Sequence, residues 1–89
     1  MSYRPVTYHS VTYDVFHNLK KNLKEYGIAV PAENEGDISG AGIAGYYKWN
    51  EEKNTLTVEV TSKPWFLPCE LIYSKINDAI HHLHDLYEK

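Results

Sequence analysis

Apolar side chains recur at helical spacing in two parts of the chain. We predict a first helix that begins after Ser10 or Thr12, either of which can cap it, and ends before Gly27, a residue common just after a helix. A second helix is predicted from Cys69 to Glu88. The inward positions predicted from this spacing are Val15, Phe16, Leu19, Leu23 and Tyr26 in the first helix, and Ile72, Ile76, Ala79, Ile80, Leu83 and Tyr87 in the second.

The pattern changes to strict alternation at residues 55–62, where Leu56, Val58 and Val60 are separated by polar side chains. Alternation of this kind predicts a strand with one buried face. Residues 46–49 are also strand-like, and a polar turn at 50–54 joins the two segments. We therefore predict an antiparallel hairpin.

The register of this hairpin decides where two large rings lie. If Trp49 opposes Thr55, Tyr47 and Trp49 lie on the outer face of the sheet. If Trp49 opposes Leu56, both rings join the core, because a shift of one residue changes the face of every side chain. The sequence leaves both registers open.

Two further segments complete the predicted fold. Residues 3–8 are rich in Tyr, Val and Thr but contain Pro5, which predicts a short edge strand or arm within residues 1–9. Residues 31–37 are polar and acidic and predict a connector or a weak edge strand. The fold class is thus α+β: a small antiparallel sheet, in the order β-α-β-β-β-α, with both helices packed on one face.

Residues 63–68 carry three large apolar side chains, Trp65, Phe66 and Leu67, in a connector bounded by Pro64 and Pro68. Connectors usually lie on the surface and are polar. The position between a strand and a helix favours closure of the core by these side chains. The alternative is a contact surface for a subunit, a partner or an apolar ligand.

Size and charge narrow the class of protein. The chain has 89 residues and a formal charge of −3, which indicates one domain over residues 1–89 and argues against nucleic acid as a partner. One cysteine favours a reducing compartment. The start of the chain lacks an apolar signal core, and no run approaches the roughly 20 apolar residues of a membrane span. We predict a soluble, cytoplasmic protein without a transmembrane segment.

Residues 40–45 match the pattern G-x-G-x-x-G of a dinucleotide-binding turn. That turn requires a helix to open within it, whereas the strand-like residues 46–49 follow here. We therefore interpret the glycines as a β-bulge or as points of close backbone approach, and we predict no cofactor.

The second helix carries a group of possible metal ligands: His81, His82 and His84 with Asp78 and Asp85. A zinc site usually needs three or four ligands, and only His81 and Asp85 share one side of the helix at a spacing of four residues. A solvated polar face is favoured, and we predict no metal.

Cys69 lies near the start of the same helix, where a thiolate is favoured. A nucleophile also requires a base and an oxyanion pocket, and neither is visible. We predict a small buried or half-buried side chain and no catalytic residue.

The order of these segments resembles a family of small bacterial proteins, the polyhydroxyalkanoic acid system proteins. The resemblance covers roughly residues 6–86. It implies association with a hydrophobic storage granule or with its proteins, without known catalytic residues. The residues that carry it are His9-Ser10, Tyr26-Gly27, Gly36-Asp37, Gly45, the strand with Leu56, Val58 and Val60, and Pro64-Trp65-Phe66-Leu67 leading to Ile72, Ile76 and Ile80.

Together these observations predict a non-enzymatic binding or assembly module that forms a homodimer. Its contact residues would be Trp65, Phe66 and Leu67, together with Tyr47 and Trp49 on the outer sheet face. One alternative is a carrier of an apolar small molecule between the sheet and the helices. Another is a small enzyme that uses Cys69 or the histidine cluster.

Overall fold

The computed structural model describes residues 4–87, and it confirms the α+β class and the predicted order of elements. Tyr3 and Glu88, the predicted outer limits of the first strand and the last helix, lie outside the described residues. The elements are β1 (Val6–Tyr8), α1 (Tyr13–Glu25), β2 (Glu35–Gly40), β3 (Ile43–Asn50), β4 (Thr55–Ser62) and α2 (Cys69–Tyr87).

The four strands form one antiparallel sheet in the order β1-β4-β3-β2. Trp49 lies opposite Leu56, so the second of the two predicted registers is the correct one. Inward side chains of β3 and β4 alternate with exposed or half-buried ones. Both helices pack against the same inward side chains and therefore cover one face of the sheet.

The register follows from the turn between β3 and β4. Asn50 pairs with Thr55, which leaves four residues in the turn. The side-chain oxygen Oδ1 of Asn50 accepts hydrogen bonds from the backbone N–H groups of Glu52 and Lys53, at 3.1 and 3.2 Å. Asparagine favours such local turns because its short side chain reaches the backbone two residues on. Asn54 completes the turn with a positive φ of 53°.

Helix α1 begins without the predicted side-chain cap and ends with the predicted glycine. Thr12 is the residue before the helix, but its hydroxyl makes no capping bond and is buried without a hydrogen-bond partner. At the other end, the N–H groups of Gly27 and Ile28 donate to the carbonyls of Lys24 and Leu23. This pair of hydrogen bonds is a Schellman motif. It satisfies two of the last carbonyls of the helix.

Two aromatic residues that the helical spacing placed inside are exposed. Tyr26 follows the last residue of α1 and adopts the non-helical backbone of the cap, so its ring turns away from the core. Tyr87 is the last residue of α2 and lies beyond its buried side chains. The prediction of both as core residues was wrong, because Tyr26 lies past the end of α1 and Tyr87 lies at the end of α2 beyond the part that packs on the core.

The glycines of residues 40–45 allow a tight turn and a close approach of two backbone segments, as predicted. Ala41 and Gly42 both have positive φ, 54° and 80°, and form the tight turn that joins β2 to β3. Gly45 lies at a shift in register, where an added Cβ would be 2.5 Å from the carbonyl oxygen of Glu59. A strand, not a helix, follows the glycines, which is incompatible with a dinucleotide-binding turn of this type.

Candidate contact surface

The segment between β4 and α2 is a turn closed by its own backbone. The N–H of Leu67 donates to the carbonyl of Pro64 at 3.1 Å, and the carbonyl of Pro68 accepts the first bonds of α2. The turn between β2 and β3 lies against this segment, because a Cβ added to Gly42 would be 3.1 Å from Cγ of Pro64. These contacts fix the segment at one end of the sheet.

Trp65 and Phe66 point out of the molecule. Trp65 is 91% exposed and Phe66 is 68% exposed. Their rings meet edge to face, with 5.8 Å between the centroids, an arrangement that aromatic pairs favour. The interpretation that these rings close the core was wrong. Ile72 and Tyr73 of α2 pack against this side of the core instead.

Leu71 is a further exposed apolar residue soon after this segment in the chain, although sequence reasoning did not single it out. It lies in the first turn of α2, on the side away from the buried stripe, and is 43% exposed. Leu67 is half-buried between Trp65–Phe66 and the start of the helix. We call Trp65 and Phe66 the aromatic patch.

Tyr47 and Trp49 do not belong to any exposed face, which corrects their predicted place on the outer sheet. They are 3% and 5% exposed, because the register turns both inward. Trp49 stacks on Phe16 at 4.6 Å between centroids, and its indole N–H donates to the carbonyl of Val11 at 2.7 Å. Both rings are therefore structural parts of the core.

The outer face of the sheet is polar. Tyr46 is its exposed aromatic residue, and its hydroxyl donates to a carboxylate oxygen of Glu35. That hydrogen bond raises the pKa of Tyr46 above its usual range. Thr7 and Thr57 are hydrogen-bonded across β1 and β4 at 3.0 Å. The aromatic residues of the sheet thus add little apolar surface to the patch.

The remaining candidate residues lie on α2. Among residues 4–87, no group of three or more His, Cys, Asp and Glu side chains is arranged to hold a metal ion. His81 and His82 are exposed on α2. Cys69 is a half-buried free thiol beside Tyr73.

Two cavities differ greatly in size and position. The space between the helices and the sheet amounts to about 20 Å³, next to Phe16, Tyr47 and Leu56. A wider groove of about 560 Å³ runs along the outside of α1 and the segment that follows it. Small-molecule sites usually occupy roughly 300–1,000 Å³, so of these two cavities the outer groove is the one with room for a ligand.

Comparisons with known proteins add no family to this description. The chain matches no family model, and neither a curated protein nor a solved structure shows significant similarity to it. The resemblance to polyhydroxyalkanoic acid system proteins therefore stays a prediction. Within the described part of the chain, neither helix combines the length and the apolar character needed to cross a membrane.

Proposed function

We propose that this protein is a non-enzymatic assembly module that forms a homodimer in the cytoplasm through its aromatic patch. The observation that carries the proposal is the outward position of Trp65 and Phe66 on a turn held by backbone bonds. Exposed aromatic residues that sit on a fixed backbone lose little conformational freedom on binding, which is why they dominate protein contact sites.

The size of the patch suits the centre of an interface. A fully exposed Trp or Phe offers roughly 200–250 Å², so at 91% and 68% exposure the two rings present about 350 Å² together. Apolar patches of a few hundred Å² commonly mark interaction sites. A stable interface buries roughly 800 Å² on each partner. The two rings would supply nearly half of that area, and the polar surroundings would supply the rim.

The interior supports assembly over the carrier alternative. A carrier of an apolar molecule between sheet and helices needs a cavity there, whereas the space at that position holds about one water molecule. Tyr47 and Trp49 fill the region that such a ligand would occupy, and Trp49 is fixed by its bond to Val11.

Light scattering at several protein concentrations tests the proposal. We expect a mass that approaches twice the chain mass of 10.3 kDa as the concentration rises. Trp65→Ala or Phe66→Ser should return the mass to that of one chain. Leu86→Ser is the matched control, because Leu86 is an exposed apolar residue at the opposite end of α2. A monomer at every concentration, or equal dissociation by Leu86→Ser, would contradict the proposal.

A different partner is distinguishable in the same experiment. The family resemblance implies a hydrophobic granule surface as an occupant of the patch. In that case the chain would be monomeric and would bind apolar particles in a manner that depends on Trp65. Sedimentation with and without such particles separates the two outcomes.

A further inference from the structure

The outer groove on α1 combines an apolar floor with a positively charged wall. Its floor comes from residues 28–32, which include Ile28, Val30 and Pro31, and its wall comes from the second half of α1. The floor segment runs beside the edge of the sheet, because the N–H of Ala29 donates to the carbonyl of Ser39 in β2 at 2.7 Å. Ile28 and Val30 pack in part against the core and in part line the groove.

The charge of this groove is opposite to that of the chain as a whole. Lys20, Lys21, Lys24 and His17 line it, and no carboxylate is among its described lining residues, although the chain has a formal charge of −3. Lys20 and Lys24 are four residues apart on the helix, a spacing at which like charges repel by a few tenths of a kcal/mol. An anion in the groove would relieve this repulsion.

Part of the wall is held in place before any ligand arrives. The ammonium group of Lys20 donates to the carbonyl of Ala32 at 3.2 Å and lies 4.5 Å above the ring of Phe16. It therefore links α1 to the floor segment. The carbonyls of Leu23 and Lys24 accept bonds from the Schellman motif, so they are already paired at this end of the helix.

We propose that this groove binds an amphiphilic anion, that is, a carboxylate or phosphate head attached to an apolar chain. Lys21 and Lys24 would contact the head, while Ile28, Val30 and Pro31 would contact the chain. The volume of about 560 Å³ lies within the usual range for small-molecule sites. This inference does not depend on the aromatic patch or on dimer formation.

Titration followed by NMR amide shifts tests the proposal with four probes of matched chemistry. Decanoate and decyl phosphate carry head and chain, decanol carries the chain alone, and acetate carries the head alone. We expect decanoate or decyl phosphate to shift residues 17–32 and to bind more tightly than decanol and acetate. Whichever of the two amphiphiles binds more tightly identifies the head group.

Variants that remove lysine charges test whether the wall of the groove recognises the head of the amphiphile. Lys21→Gln with Lys24→Gln should weaken binding of the preferred amphiphile about five- to ten-fold, the effect of losing two exposed ion contacts. Lys75→Gln on α2 should leave binding unchanged, because Lys75 is exposed outside the groove. Lys20 is not substituted, because its hydrogen bond to Ala32 holds the floor segment in place.

Several results would overturn the proposal. Equal binding of decanol would show an apolar site without anion recognition, and equal binding of acetate would show charge attraction alone. Shifts centred on residues 65–71 would place the amphiphile on the aromatic patch. If no amide resonance shifts with either amphiphile, the groove does not bind amphiphilic anions. Shifts at residues 65–71 are sought in the unsubstituted chain. The other results can be obtained with the double variant of Trp65→Ala and Phe66→Ser, so dimer formation does not affect them.

Discussion

Replacing Trp65 with alanine distinguishes a surface aromatic residue from a core one by its effect on folding stability. Trp65 is 91% exposed, so about a tenth of its roughly 250 Å² is buried within one chain. At about 25 cal/mol per Å² the loss of this contact costs about 0.5 kcal/mol. A ring that closed the core would instead cost about 3–5 kcal/mol on truncation.

Urea unfolding measures this difference, provided that the protein is monomeric during the experiment. Association would couple stability to concentration, so the concentration should lie below the range in which the scattering mass rises. Far-UV circular dichroism is the appropriate signal, because removal of Trp65 changes the fluorescence directly. Trp49→Ala is the matched comparison and should cost about 3–5 kcal/mol. A loss above about 2 kcal/mol for Trp65→Ala would refute the outward placement of the ring.

Four further substitutions test the backbone and the buried hydroxyls by chemical or thermal unfolding. Thr12→Val should be neutral or stabilise by about 1 kcal/mol, because it removes a buried hydroxyl without a partner; a loss of about 1 kcal/mol would instead reveal a working helix cap. Gly40→Ala should cost more than about 2 kcal/mol, because its Cβ would lie 2.0 Å from the carbonyl oxygen of Gly27. Gly27→Ala should cost only about 1 kcal/mol, since its φ of 83° is strained in alanine but no atom is nearby. Equal costs would argue against the close approach at Gly40. Burial raises the pKa of Tyr8 above its usual value, so the unfolded chain loses this proton first and stability should fall as the pH rises above about 10. Tyr8→Phe should make that fall shallower, and an unchanged slope would contradict the assignment.

The fold could be predicted because each element depends on local patterns. The helical spacing around Phe16 and Ile80, the alternation from Leu56 to Val60 and the stop at Gly27 each favour one structure only. The hairpin register was left open, although a signal existed. The hydrogen bonds of the Asn50 side chain favour the four-residue turn that sets it.

The candidate site was predicted only in part, because exposure of a connector depends on distant contacts. The sequence of Trp65, Phe66 and Leu67 is compatible with side chains that face inward and with side chains that face outward. Their direction is set by the backbone bond between Leu67 and Pro64 and by the approach of Gly42, neither of which is visible in hydrophobic spacing. The groove was missed because its floor and wall come from two adjoining segments whose relative position depends on the cap at the end of α1.

The strand order also predicts a sequence of events in folding. β2, β3 and β4 are joined by short turns, whereas β1 pairs with β4 across about fifty residues, with Val6 opposite Val58. Closing so long a loop costs more entropy and slows folding. The hydroxyl of Tyr73 accepts from the N–H of Val60 and donates to the carbonyl of Arg4 just before β1, so this residue of α2 links the start of β1 to β4. The short first strand is therefore expected to join the sheet last and to open first, with the fastest amide hydrogen exchange of the four strands.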